Sequence, residues 1–127
     1  MNGNQKVMPP LTVGENNFAD EVLRSKIPVL AAFLAPWSRP CQIIRPALNA
    51  AVSACAGQVK FVEIDADDHP GLGAEYDVRS IPALLFFVGG NPRDRIIGTA
   101  STEAILAKCR TVFAVTFKLQ NSSQAKL

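Results

Sequence analysis

The run Val29-Leu30-Ala31-Ala32-Phe33-Leu34-Ala35, followed by Pro36-Trp37-Ser38-Arg39-Pro40-Cys41, decides how this chain is read. Seven consecutive apolar residues suit a central strand covered on both faces. The residues after Pro36 open an apolar-periodic segment, so the stretch reads as a strand running into a helix. The first residues of such a helix gather unpaired backbone N–H groups and the positive end of the helix dipole, which favours a thiolate over a thiol. Cys41 is therefore the side chain of most chemical interest. A redox dithiol of the Cys-x-x-Cys kind needs a second cysteine at position 38, and serine stands there. Serine is among the best helix caps, and its hydroxyl can accept from the N–H of Cys41 at the third helical position.

Outward from this stretch, the helix is expected over 39–56 with Gly57 as its stop, and Ile44, Leu48, Ala51, Val52 and Cys55 form its buried stripe. Pro46 predicts a kink inside it. A second central strand comes next at 59–65, then an acidic turn at 65–68 and a short helix and loop over 68–77. Residues 83–88 are strand again, and Gly89-Gly90-Asn91-Pro92 is a turn signal leading into Arg95-Ile96-Ile97, so the flanking strands pair antiparallel. Ser101 caps a last helix with Ile105, Leu106, Cys109 and Phe113 inward. Upstream, 11–13 is an edge strand. Asn16 or Asn17 caps a first helix that carries Asp20 and Glu21 in its first turn and buries Phe18, Val22 and Leu23, and Pro28 ends that unit. The expected organisation is a lead at 1–9, one domain over 10–115 and a polar tail at 116–127. The fold class is α/β, three layers (α/β/α) around a mixed sheet of four to five strands.

The chain has 127 residues, 48% apolar and 19% charged, which is globular and enough for a single core. A net charge of +2, with the basic residues scattered, gives no footprint for nucleic acid. No apolar run approaches the roughly 20 residues of a membrane span, and the polar start does not suit a signal peptide. A cytoplasmic protein with reduced thiols is the expectation. The three cysteines and the single histidine, His69, lack metal-ligand spacing, and no cofactor is implied. His69 reads as a surface turn residue, and the acidic turn as a solvated one.

Trp37-Ser38-Arg39-Pro40-Cys41 resembles the Trp-Cys-Gly-Pro-Cys active site of the thioredoxin family. The likeness covers positions 10 to 114 and includes Phe33, Ala35, Pro46, the strand at 59–65, Asp67, Pro70, Tyr76, Arg79, Ile81-Pro82, residues 84–87, Gly90 and Gly98. The resemblance implies the thioredoxin fold. It also implies a cis-proline at Pro82 opposite the active site, shaping a groove in which the family pairs its backbone with an extended peptide.

Carried over residue by residue, the resemblance puts Ser38 where the family has its attacking cysteine and Cys41 where it has its resolving one, with Trp37 and the Pro82 loop burying Cys41. Serine cannot replace the attacking step. Ala32 stands where the family commonly carries a buried aspartate and Glu63 where it commonly carries a lysine. One hypothesis is that Glu63 supplies the missing carboxylate and accepts the Cys41 proton; the alternative is a partly exposed strand glutamate. Trp37, Arg39, Pro40, Arg79, Ile81 and Pro82 are the candidate substrate-binding residues. The two arginines favour an acidic partner or an anionic thiol such as glutathione, or else are solvated surface cations. Cys55 and Cys109 read as core residues. If their helices share one side of the sheet, as the fold implies, a disulfide between them is possible but unexpected in a reducing compartment.

Three functional readings stay open on the sequence. The first is a degenerate thioredoxin-like protein, at most a monothiol exchanger using Cys41 with protein or peptide thiols and disulfides, or with glutathione. The second is a redox-inactive module that binds peptide in the cis-proline groove. The third is an ordinary disulfide reductase carrying an engineered serine at position 38. A monomer without nucleic-acid or membrane partners is the expectation for all three.

Overall fold

The computed structural model describes residues 10–55 and 57–115; the expected lead at 1–9, the tail at 116–127 and the residue-56 end of the expected second helix lie outside the described residues. In chain order the elements are β1 (Leu11–Thr12), a π-helical turn (Ala19–Leu23), β2 (Val29–Leu34), α1 (Arg39–Ala54), β3 (Lys60–Asp65), α2 (Pro70–Glu75), β4 (Ala83–Val88), β5 (Asn91–Ile97) and α3 (Thr102–Phe113). The strands form one five-stranded sheet in the order β1-β3-β2-β4-β5. β3 runs parallel to β1 and β2, while β4 is antiparallel to β2 and to β5.

All six residues of β2 are buried because neighbours flank it and helices cover both faces. Its side chains alternate between two cores. Leu30, Ala32 and Leu34 join Leu84, Phe86 and the inner faces of α1 and α3. Val29, Ala31 and Phe33 join Val62, Ile64, Leu85 and Phe87 under the π-helical turn and α2. On that second side Phe18, Tyr76 and Phe87 meet with ring centroids 5.4–5.9 Å apart. Among the described residues, no helix is long and apolar enough to cross a membrane.

Several local expectations need correction. Asn17 caps no helix; its Oδ1 accepts the Gly14 N–H at 2.8 Å, and the π-helical turn starts after Phe18 with no side-chain cap. The wider π turn rotates Leu23 outward, leaving it 37% exposed, while Phe18 and Val22 stay buried. α1 ends at Ala54, with Cys55 closing it onto the Ala51 carbonyl. His69 is more than a surface turn: its ring lies over Gly14, where a Cβ would come within 2.4 Å, and its Nδ1 lies 2.7 Å from Glu15 Oε1.

The β4–β5 hairpin is tighter than its turn signal suggests. Gly89 and Gly90 alone make the turn, at φ 58° and 82°, and Asn91 and Pro92 already belong to β5. Positive φ at both central residues matches the twist of the flanking strands. A Cβ on Gly90 would stand 2.7 Å from the Leu23 carbonyl oxygen, whereas one on Gly89 would meet nothing. Gly90→Ala should lower unfolding free energy by about 1–3 kcal/mol and Gly89→Asn by less than about 0.5 kcal/mol, read from urea denaturation.

α3 is capped as expected, with Ser101 Oγ accepting the Ala104 N–H at 3.1 Å. Lys108 of α3 donates to Asp94 of β5 at 3.0 Å, and this bond, then the one from the Arg95 N–H, holds the Asp94 carboxyl below its ordinary value. A depressed folded value means that the stabilisation is complete above the unfolded carboxylate pKa, about 3.9, and is lost as pH falls through the folded one. The side chains are 32% and 41% exposed, so Lys108→Ala should cost less than about 1 kcal/mol at neutral pH. That difference should vanish in acid denaturation below the folded value.

Candidate functional site

The site begins where β2 hands over to α1. Ser38 sits in extended backbone (φ −80°, ψ 122°), and its Oγ accepts the Cys41 N–H at 3.3 Å, filling one of the donors that a helix start leaves unpaired. Pro40, in the first turn, has no N–H to leave unpaired. Ser38 and Cys41 are each 3% exposed. The Cys41 side chain belongs to the core that holds Ala32, Leu34 and Ile44, against which Ile81 also packs.

Trp37 takes no part in that core. It is 67% exposed, and its indole N–H donates to Asp67 Oδ2 at 2.5 Å. Asp67 is itself held by its turn, because Asp65 Oδ1 accepts the N–H groups of Asp67 and Asp68 at 2.9 and 3.1 Å. The acidic turn is thus a clamp for the indole. Against this pair opens a groove of about 550 Å³, walled by Pro70, Gly73 and Ala74 of α2 and by Val78, Arg79 and Ile81 of the loop before β4.

That loop is braced from β5. The Arg95 guanidinium donates to the Tyr76 carbonyl at 2.7 Å and the Asp77 carbonyl at 3.2 Å, and Asp77, at φ 57°, binds Arg79 Nε through its carboxylate at 2.7 Å. The Ile81-Pro82 peptide bond is cis. Pro82 is buried behind Ile81, and its carbonyl accepts the Gly98 N–H at 2.8 Å. Among the described residues, the main-chain N–H and C=O of Ile81 have no hydrogen-bond partner. Arg39 and Pro40 are exposed at the head of α1, and Arg39 has no ion-pair partner among the described residues.

Glu63 lies on β3 beside Ala32 in register, and its half-buried carboxylate is bonded to the Arg45 guanidinium. Arg45 escapes a reading of the sequence, although its spacing of four from Cys41 puts both on one face of α1. The structure therefore gathers Trp37, Arg79 and Ile81 around one groove, holds Ser38 and Cys41 under the start of α1, and commits Glu63 to a cation. The clamp role of Asp67 and the α2 wall are likewise invisible in the sequence, since neither carries a local signal. Among the described residues no cluster of His, Cys, Asp or Glu could hold a metal ion.

The thioredoxin family model matches residues 9–111. This chain belongs to the thioredoxin family. Thioredoxin 1 of a Nostoc species is 37% identical over 86 residues, covering 68% of this chain and 80% of the relative. Thioredoxin of Porphyra purpurea is 40% identical with the same coverage, and Thioredoxin M4, chloroplastic, of Arabidopsis thaliana is 36% identical over 93 residues, 73% of this chain and 48% of the relative. The mixed five-stranded sheet between helices is the thioredoxin fold.

Ser38→Ala removes the hydroxyl that caps α1 in a site closed to water. It should destabilise the fold by about 1 kcal/mol, with Ser38→Gly costing only roughly 0.3 kcal/mol, measured by chemical denaturation.

Proposed function

We propose that this thioredoxin-family chain binds extended polypeptide in the groove beside Trp37 and does not turn over disulfides by the dithiol route. The observation that carries this reading is at the head of α1: serine occupies the position three residues before Cys41, and its hydroxyl is already used as the helix cap. A serine hydroxyl without a base is no substitute for an attacking thiolate. The groove keeps what peptide capture needs, an apolar floor, an exposed indole and the unpaired backbone of Ile81, to which an extended chain can add as a strand. Arg79, which lines the groove, favours acidic residues in that chain. Glu63, bonded to Arg45, anchors α1 on the sheet.

One covalent step stays open to Cys41. Its thiolate attacks one sulfur of a disulfide, a Cys41–S–S–R bond forms, and the other half leaves as a thiolate. The thiolate of an external thiol such as glutathione then attacks the R sulfur, releasing Cys41 as a thiolate and leaving R–S–S–glutathione. With Cys41 3% exposed, this step waits on local opening of the site.

The test uses carboxymethylated insulin B chain, which carries no thiol, and follows the fluorescence of Trp37, the only tryptophan. Binding is expected, unchanged within about twofold in Cys41→Ala and weakened at least about tenfold by Ala74→Phe, which fills the groove. Reduction of intact insulin should not exceed the buffer control. Insulin turnover by the wild-type chain, or binding lost with Cys41→Ala but kept with Ala74→Phe, would refute the reading.

A further inference from the structure

The groove has two ionisable side chains in its lining, Asp67 and Arg79, and they are not equivalent. Asp67 is taken: its Oδ2 accepts the Trp37 indole N–H at 2.5 Å, and its own N–H is tied to Asp65. Arg79 is only half taken. Its Nε donates to Asp77 Oδ1 at 2.7 Å, which leaves its two terminal Nη groups without a partner among the described residues, and the side chain is 85% exposed. The parallel N–H groups of a guanidinium match the two oxygens of a carboxylate. The open end of Arg79 therefore suits an acidic side chain, and the Asp67 carboxylate repels one.

The direction of the bound chain decides which side of it must carry that acid. Ile81 offers both its main-chain N–H and its C=O. One residue of an antiparallel chain exchanges both bonds with it, whereas a parallel chain reaches the same two groups only through slanted bonds to two different residues. The antiparallel arrangement fixes fewer partner residues and so costs less ordering entropy. It also puts the paired side chain on the face that Ile81 presents to the groove, where the small size of Gly73 and Ala74 leaves room for a large apolar group. Arg79 precedes Ile81 by two residues, so along an antiparallel partner it lies on the C-terminal side of the paired residue.

We infer that the groove selects an extended segment in which a large apolar residue, paired with Ile81, is followed two residues later by Asp or Glu, with Arg79 as the specificity-determining residue. The selection rests on the groove being a peptide site, as proposed above, and adds to it a direction and a spacing. The same apolar and acidic residues in the opposite order put the acid away from Arg79. Because Arg79 is exposed, the preference is modest in size and sensitive to salt.

The experiment titrates the full chain at low ionic strength with short peptides, acetylated and amidated so that their ends carry no charge, and follows the fluorescence of Trp37. The peptides hold Phe-Ser-Glu, Glu-Ser-Phe, Phe-Ser-Gln or Phe-Ser-Lys between Gly-Ser flanks, and carboxymethylated insulin B chain serves as the general ligand. Phe-Ser-Glu should bind about three- to fivefold more tightly than Glu-Ser-Phe or Phe-Ser-Gln, and that advantage should fade toward about 1 M salt. Arg79→Gln should bring Phe-Ser-Glu and Glu-Ser-Phe to equal affinity, and Arg79→Glu should make Phe-Ser-Lys the better ligand. The wild-type comparison stands even if a variant fails to fold. Equal wild-type affinity for the two orders, a preference for Glu-Ser-Phe, or an unchanged preference in Arg79→Gln would overturn the selection and leave peptide capture in place, as would B-chain binding without binding of any short peptide. Absence of all binding, B chain included, would overturn peptide capture itself and the selection with it.

Discussion

The structure depends on the complete burial of β2. A strand with hydrogen-bonded neighbours on both edges and helices over both faces has every backbone group paired and every side chain in one of two cores. It therefore cannot slip by one residue without sending Leu30, Ala32 and Leu34 into the wrong core. This rigidity is handed directly to the site, because the turn after Leu34 launches α1 and Ser38 sits at that junction. The cap, the buried thiol and the exposed indole are thus fixed relative to the sheet.

The groove is assembled from parts that are far apart in sequence and held by single polar contacts. Asp67 orients Trp37, Asp77 orients Arg79, and Arg95 reaches across from β5 to steady the loop carrying Ile81. Each bond replaces motion of a long side chain with one geometry, so the groove is pre-organised. The Arg45–Glu63 pair acts in the same way beneath the site, tying α1 to β3 where Ala32 leaves no polar group. Thus one end of α1 carries the Ser38 cap and the buried Cys41, while the other closes with Cys55 in the core shared with α3.

The order of elements, the central strand, the antiparallel hairpin and the caps at Ser38 and Ser101 are legible in the chain, because each is specified by neighbours within a few residues. Seven apolar residues in a row, a glycine pair, or a serine before a helix act locally, whatever the rest of the chain does. The departures are also local in origin. An α period places Leu23 on a buried face, and the π turn rotates it out; Asn17 finds the Gly14 N–H instead of a helix start.

What the sequence by itself determined was the fold and the absence of a second thiol at position 38, both written in the types and spacing of adjacent residues. What only the tertiary structure decided was which distant groups meet: Trp37 with Asp67, Glu63 with Arg45, and His69 with Glu15. The physical reason is that these contacts are set by register and layer packing. A side chain reaches its partner only once the sheet has fixed where two separate backbones lie, and nothing in either stretch alone encodes that distance.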